Sequence, residues 1–369
     1  MRYHVVLSAP IDLEGIAREA QAGQRPHHVI WSLSQKLGAQ IHQPGADPIN
    51  ALDRMRSKIS SQPAQWALAR SLAAQLTCED VVFCMNEDVG IPLAALCAFK
   101  PDRPKVAMYV TNLDRPRGRL ALKLFHIAHR DNLLLTPIRT QYEFLQQYLG
   151  LSDSLLHLVR DQTDTNFFKP GVDRGRKARP LIVSGGMEKR DYRTLAEATQ
   201  NMDVDVKVCA FSNNAAATAR TFPPVMPKNM YCGFFDWVDL LQLYQDSDVV
   251  AISLFENRYS AGTTTLLEAM ACCKPVVITY SEGLIADLVE AGCVTGVRAG
   301  DPEDLRRAIV RLLSDPAAAQ AQAERGYRMA LKHYSSAQHI KELAEKLTAL
   351  RSPSAAHSSP SSPSLSHLL

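Results

Sequence analysis

The sequence predicts an α/β protein built from two doubly wound domains. Three observations carry that expectation. Apolar runs of strand length alternate with helix-length patterns along most of the chain, as in parallel sheets crossed over by helices. The length, 369 residues, suits two domains. The clearest single unit is Asp248 to Tyr280, DVVAISLFENRYSAGTTTLLEAMACCKPVVITY. There, Val249–Phe255 reads as a strand and Glu256–Thr265 as a polar loop. Leu266–Cys273 reads as a helix stopped by Pro275, and Pro275–Thr279 as the next strand.

Composition narrows the function classes. An apolar content of 46% and a charged content of 21% are those of a soluble globular protein. A net charge of +3 is too small to argue for a nucleic-acid partner. The eight cysteines show no paired CxxC spacing and sit mostly in apolar runs, so a reducing, cytoplasmic setting is expected. The N-terminal stretch lacks the apolar core of a signal peptide. No apolar run approaches the length needed to span a bilayer. A peripheral membrane contact stays open, and the sequence does not reveal the oligomeric state.

In chain order, Tyr3–Ala9 reads as a strand and Pro10–Pro26 as a polar loop or short helix. His28–Leu37 is a helix pattern, and in the preceding GQRPHH segment Arg25 and His27 are candidates to face a cleft. Leu52–Leu76 is helical and split by Pro63. Asp80–Met85 is a strand whose carboxyl end carries Asn86, Glu87 and Asp88, where open α/β sheets bind ligands. The two carboxylates suit either ligand contacts or capping of a helix over Ile91–Phe99, and the cap is the favoured reading. Lys105–Thr111 is the next strand, ending at Asn112. The basic segment after it, with Arg115, Arg117, Arg119 and Lys123, could meet an acidic ligand or lipid headgroups, but a solvated helix start is favoured. His126 and His129 have metal-compatible spacing, yet no Cys or carboxylate completes a site, so no metal is assigned. Asn132–Pro137 and Ser154–Val159 read as strands around a helix at Arg139–Leu149.

A second series of elements follows RDQTDTNFFKPG, Arg160 to Gly171. Pro180–Ser184 is a strand running into Gly185-Gly186, Glu188, Lys189 and Arg190 at a helix start. Val204–Phe211, Met230–Phe235 and Val294–Arg298 read as strands. Helices are expected over Asp236–Tyr244, Asp301–Leu313, Ala317–Leu331 and Ser336–Leu350. Asp203-Val204-Asp205 is formally a DxD metal motif, but it enters a strand instead of leaving one and is read as chance. Gly262 and the threonines after it sit at the start of a helix, where free N–H groups and the helix dipole favour an anion.

LLEAMACCKPVV, Leu266 to Val277, resembles the donor-site signature of the retaining GT-B glycosyltransferases of the group 1 class, with Cys273 where that family usually has Gly. The resemblance implies two Rossmann-like domains facing a cleft. It gives Glu268 the role of holding the ribose of a nucleotide-sugar. The family's first Glu falls on Ser260, and Glu256 takes its place if the loop carries an insertion. Asp164, Phe168 and Pro170 match the interdomain linker of the family, and the Gly185-Gly186 turn is similar to the one whose cations neutralise the donor diphosphate. Met187 stands where Arg is common there, so Lys189 and Arg190 take the catalytic role, together with Glu256. The resemblance places Gly185, Gly186, Glu188, Ser260, Ala261, Gly262, Thr263, Thr264 and Glu268 at the donor. The family's strand-end His is absent, with Thr111 and Asn112 in its neighbourhood, and the acceptor candidates are Arg25, His27, Glu87 and Asn112. The family uses no metal and no cofactor, its donor being a substrate, here expected to be UDP- or GDP-linked.

The implied organisation is an acceptor domain over 1–165, a donor domain over 166–335, a returning helix over 336–351 and a disordered Ser/Pro-rich tail over 352–369. The implied activity is sugar transfer to a hydroxyl acceptor with retention of configuration. Two alternatives stand beside it: a catalytically silent nucleotide-sugar-binding partner, and a sugar-nucleotide epimerase of the same fold.

Overall fold

A computed structural model of the chain describes residues 2–125, 132–172, 175, 178–210, 220–257 and 261–350. The first domain contains strands β1 (Arg2–Val6), β2 (Gln40–His42), β3 (Asp80–Cys84), β4 (Lys105–Tyr109), β5 (Leu133–Thr136) and β6 (Leu156–Leu158). Between them run helices α1 (Leu13–Gln21), α2 (Val29–Leu37), α3 (Ala51–Ser57), α4 (Pro63–Gln75), α5 (Glu87–Cys97), α6 (Pro116–Leu124) and α7 (Arg139–Leu149). The six strands form one parallel sheet in the order β2-β1-β3-β4-β5-β6. Every residue of β3 is buried, as a central strand covered by helices on both faces requires.

The second domain contains β7 (Leu181–Gly185), β8 (Asp205–Cys209), β9 (Met230–Gly233), β10 (Val249–Ile252), β11 (Val276–Thr279) and β12 (Thr295–Val297). Its helices are α8 (Tyr192–Thr199), α9 (Trp237–Asp246), α10 (Thr263–Ala271), α11 (Leu284–Glu290), α12 (Pro302–Ser314) and α13 (Pro316–His333). The sheet, also parallel, runs β12-β11-β10-β7-β8-β9. Read from β9, this is the doubly wound order in which winding reverses between the first and fourth strands, here β7 and β10. In such sheets the crevice for ligands opens at the carboxyl ends of those two strands.

Several boundaries differ from the sequence expectation. Helix α10 begins at Thr263, three residues before the expected Leu266, because Gly262 takes a left-handed conformation (φ 85°) and turns the chain into the helix there. Helix α5 begins at Glu87, not Ile91, with Asn86 as its N-cap accepting from the Asp88 N–H. The short edge strand β2 is too brief for its alternation to be read.

The chain crosses between the domains twice, side by side. Thr163 on the outward crossing pairs with Ser335 on the return. The Thr163 N–H donates to the Tyr334 carbonyl (2.8 Å), and the Ser336 N–H donates to the Thr163 carbonyl (2.8 Å). Helix α14 (Ser336–Ala349) then lays Leu343, Ala344 and Leu347 into the first domain's core beside Val5, Leu7, Ile30 and Leu33. Tyr109, at the end of β4, is 2.7 Å from Nε2 of His339 on this helix.

Phe168 anchors the outward crossing to the second domain. It is buried, and its ring lies edge-on to Phe167, Trp237 and Tyr244, at 5.1, 6.5 and 6.1 Å. Phe168→Ala leaves a cavity at this junction and is expected to destabilise the protein by about 3–5 kcal/mol. Urea denaturation followed by tryptophan fluorescence checks this, and a change below about 1 kcal/mol would show that the junction closes around the gap.

Candidate active site

The site forms where β7 and β10 part. Gly185 ends β7, and Gly186 follows with φ 87°. A Cβ at Gly186 would lie 2.6 Å from Arg190 Nη2, so the turn needs glycine for both its backbone and its space. Arg190 folds back under this turn and is only 4% exposed. Its Nε donates to the Gly185 carbonyl (2.6 Å), Nη1 to the Glu188 carbonyl (2.9 Å) and Nη2 to Thr265 Oγ1 (3.1 Å). Among the described residues, three of the guanidinium's five N–H groups are engaged and two remain.

Across the crevice stands the start of α10. Gly262 provides no side-chain cap, and the first intrahelical bond is made by the Leu266 N–H to the Gly262 carbonyl. The N–H groups of Thr263, Thr264 and Thr265 therefore have no acceptor within the helix. Together with the helix dipole and Arg190 they make an anion-binding corner.

Glu268 lies beneath this corner, 5% exposed. Tyr244, from α9, donates its hydroxyl to Glu268 Oε2 at 2.8 Å. Burial pushes the Glu268 carboxyl up to about 7, against the opposing pull of the Tyr244 hydrogen bond and the Arg190 charge. A second carboxyl, Asp161 on the outward crossing, also faces the cleft. Burial pushes it up to about 6, moderated by a hydrogen bond with Thr263.

These groups line a cleft of about 930 Å³ between the two domains. The second domain contributes Gly185, Gly186, Glu188, Arg190, Ala261 to Thr265 and Glu268, with Phe234, Phe235 and Trp237 along one side. The first domain contributes Arg25, Thr111, Asn112, Asp114, Arg115 and the start of α7. Arg25 reaches across, its guanidinium 5.8 Å from the Trp237 ring.

Four expected residues lie elsewhere. Lys189 is exposed and outside the cleft lining, unlike its neighbour Arg190. The stretch around Lys189 pairs with the one after β10: Phe255 N–H bonds the Lys189 carbonyl and Asp191 N–H the Ser253 carbonyl, both at 2.9 Å. That pairing holds Lys189 at φ 56° and seats Arg190 inward, leaving Lys189 on the surface. Glu256 is exposed and also outside the lining. His27 instead ties the start of α2 to the linker, through its N–H (2.8 Å) and Nδ1 (3.1 Å) to Asp164 Oδ2. Glu87 acts one step back from the cleft. It accepts from the Thr111 N–H (3.2 Å), the Thr111 hydroxyl (3.1 Å) and the Asn112 N–H (3.1 Å), which fixes the turn that lines the cleft. Ser260, His126 and His129 lie outside the described residues.

Asp203 and Asp205 stand at the start of β8, whereas Cys209 at its other end lines the cleft. Both aspartates pair with Arg179, at 2.8 and 3.1 Å. Among the described residues no group of three or more His, Cys, Asp or Glu is arranged to hold a metal. No helix among them is long and apolar enough to cross a membrane.

Sequence reasoning reached Thr265, as the third residue of the threonine run at a helix start, but not Tyr244 or Asp161. Those two arrive from distant segments and carry no local signal.

Comparison with known proteins agrees with this architecture. Residues 181–315 match the family model described as Glycosyl transferases group 1. No curated protein matches the sequence. Solved structures of similar fold include a glycosyltransferase from Rickettsia africae, with a TM-score of 0.67 at 12% identity over 95% of this chain and 98% of that one. Sucrose-phosphate synthase from Thermosynechococcus elongatus has a TM-score of 0.69 at 13% identity over 95% and 99%. Anabaena HepE, in a complex with UDP and glucose, has a TM-score of 0.66 at 15% identity over 95% and 100%. The chain has the GT-B fold, two Rossmann-like domains facing a cleft.

The raised carboxyl of Glu268 gives a prediction for stability. A group whose pKa is higher in the folded state adds stability below its ordinary value, near 4.5, and that stability is lost as pH rises through about 7. Glu268→Gln removes the buried ionisation. It is expected to raise the stability of the ligand-free protein at pH 8 by on the order of 1–3 kcal/mol, with little gain at pH 4.5. Melting temperatures across this range check it. An equal shift at both pH values would show that Glu268 does not ionise in place.

Proposed function

We propose that this protein is a retaining glycosyltransferase that moves a sugar from a UDP-sugar to a hydroxyl acceptor without a metal ion. The observation that carries the reading is the corner formed by Arg190, the uncapped start of α10 and the buried Glu268, set at the carboxyl ends of β7 and β10. The match of residues 181–315 to the group 1 family model supports it, and the HepE complexes with UDP and UDP-glucose favour UDP as the nucleotide.

In this reading the diphosphate rests on the amides of Thr263 to Thr265 and the two remaining N–H groups of Arg190. Negative charge grows on the leaving UDP as the glycosidic bond breaks. A preorganised cation and helix dipole stabilise that charge more than the ground state, which is what lowers the barrier. Glu268, once ionised, accepts hydrogen bonds from the ribose hydroxyls. The acceptor enters along the first-domain wall at Asn112 and Arg25. The departing phosphate takes the acceptor's proton on the face it leaves, so the anomeric configuration is retained. The alternative of a silent binding partner is motivated by Ser260, where the family carries Glu.

A thermal-shift screen with UDP, GDP, ADP and TDP, with and without EDTA, tests the donor site. UDP is expected to raise the melting temperature most, and EDTA to leave the shift unchanged. No shift with any of them would overturn the reading. Activity separates the remaining cases. Arg190→Ala is expected to lower kcat by about 10²–10³-fold, and Lys189→Ala to change it little. A protein that binds UDP but never turns over a UDP-sugar would be the silent partner, and one that converts the UDP-sugar with no acceptor would be an epimerase.

A further inference from the structure

Helices α3 and α6 give the first domain a surface that the cleft does not use. Five large apolar side chains stand open there: Ile49 (39% exposed), Leu52 (51%), Met55 (57%), Leu120 (46%) and Leu124 (49%). Helix α6 already has a buried side, Ala121 and Leu122, so its exposed leucines belong to a second apolar face. Cations are interleaved with these residues: Arg54, Arg56 and Lys58 on one segment, and Arg115, Arg117, Arg119 and Lys123 on the other. Between Ile49 and Lys58 the sole acid is Asp53, which is buried and bonded to Arg70 at 3.0 Å, and between Arg115 and Leu124 there is none.

The two segments are joined into one surface. Arg117 of α6 donates to the carbonyls of Ile59 (2.8 Å), Ser57 (3.1 Å) and Lys58 (3.2 Å), at the carboxyl end of α3. Arg56 stacks over Trp66 (5.5 Å), whose ring meets Phe125 just beyond α6 (5.3 Å). Asp114 and Arg115 continue from this surface into the lining of the cleft.

We infer that this face docks on an anionic lipid bilayer, lying on it without crossing it. The pairing of half-exposed leucines and methionine with a nearly acid-free set of Arg and Lys fits acyl chains beneath phosphate headgroups. A nucleic acid would use the cations but leave the leucines exposed. The inference stands apart from the donor-site reading, since it needs no nucleotide.

Sedimentation of the full chain with sucrose-loaded vesicles tests it. The protein is expected to sediment with vesicles containing phosphatidylglycerol, not with phosphatidylcholine alone, and to be released as salt rises. Leu120→Ser with Leu124→Ser is expected to lower partitioning by about tenfold or more. Arg54→Glu with Lys58→Glu and Lys123→Glu, all at exposed positions, is expected to abolish it and serves if the leucine variant does not fold. Circular dichroism and the melting temperature establish that each variant is folded. No sedimentation with anionic vesicles at low salt, or equal binding by the folded variants, would overturn the proposal. So would loss of a lipid-free oligomer in the same variants, which would make a second copy of this chain the occupant.

Discussion

The Arg190 guanidinium is the joint on which the ligand-facing edge of the second domain is assembled. Its bonds to Gly185, Glu188 and Thr265 tie the turn after β7 to the first turn of α10. Those segments meet where the winding of the sheet reverses, and the Thr265 hydroxyl also reaches the Gly185 carbonyl directly, at 3.3 Å. A buried cation placed there needs acceptors, and two backbone carbonyls and a threonine hydroxyl supply them. The same charge sits beside the buried Glu268 carboxyl and eases its ionisation. Gly186 leaves room for it, since a Cβ there would fall 2.6 Å from its Nη2. A single residue thus shapes the turn, orients the helix start and sets the local charge.

The alternation of strands and helices was legible in the sequence, and so was the α10 unit. Both rest on local pattern: apolar runs for strands buried on two sides, and a glycine before a helix. What the sequence could not show is which way neighbouring side chains face. Lys189 and Arg190 are adjacent and chemically alike, yet one is on the surface and the other is buried. The difference comes from the pairing of residues 189 and 191 with 255 and 253, a tertiary contact. Glu87 was read as an acceptor ligand or a cap, and instead braces the turn at Thr111 and Asn112 across to the neighbouring strand end. Tyr244 and Asp161 reach the site from 24 and 102 residues before the α10 residues they touch, Glu268 and Thr263. Distances of that kind are set by the fold, not by spacing.

Two of the carboxyls lining the cleft are shifted by burial, and they lie on different parts of its wall. Glu268 is enclosed by the second domain, against Tyr244. Asp161 sits on the crossing between the domains and touches the first residue of α10. Both are raised by burial, Asp161 to about 6 and Glu268 to about 7, so each holds its proton to higher pH than an ordinary carboxyl. A ligand presenting hydroxyl groups favours the ionised forms by donating to them. Binding of such a ligand is thereby linked to the release of protons.

The paired crossings have a mechanical consequence. Thr163 and Ser335 run alongside each other and are cross-linked by backbone hydrogen bonds, with Gln162 and Ser336 adding a side-chain bond beside them. Two connections at separate points would resist rotation in most directions. Two connections fused at one point act as the pin of a hinge. A swing of the domains about that pin would leave Arg25 and Trp237 nearly in place, because Arg25 stands two residues from His27, which bonds Asp164 on the outward crossing, and Trp237 meets Phe168 there.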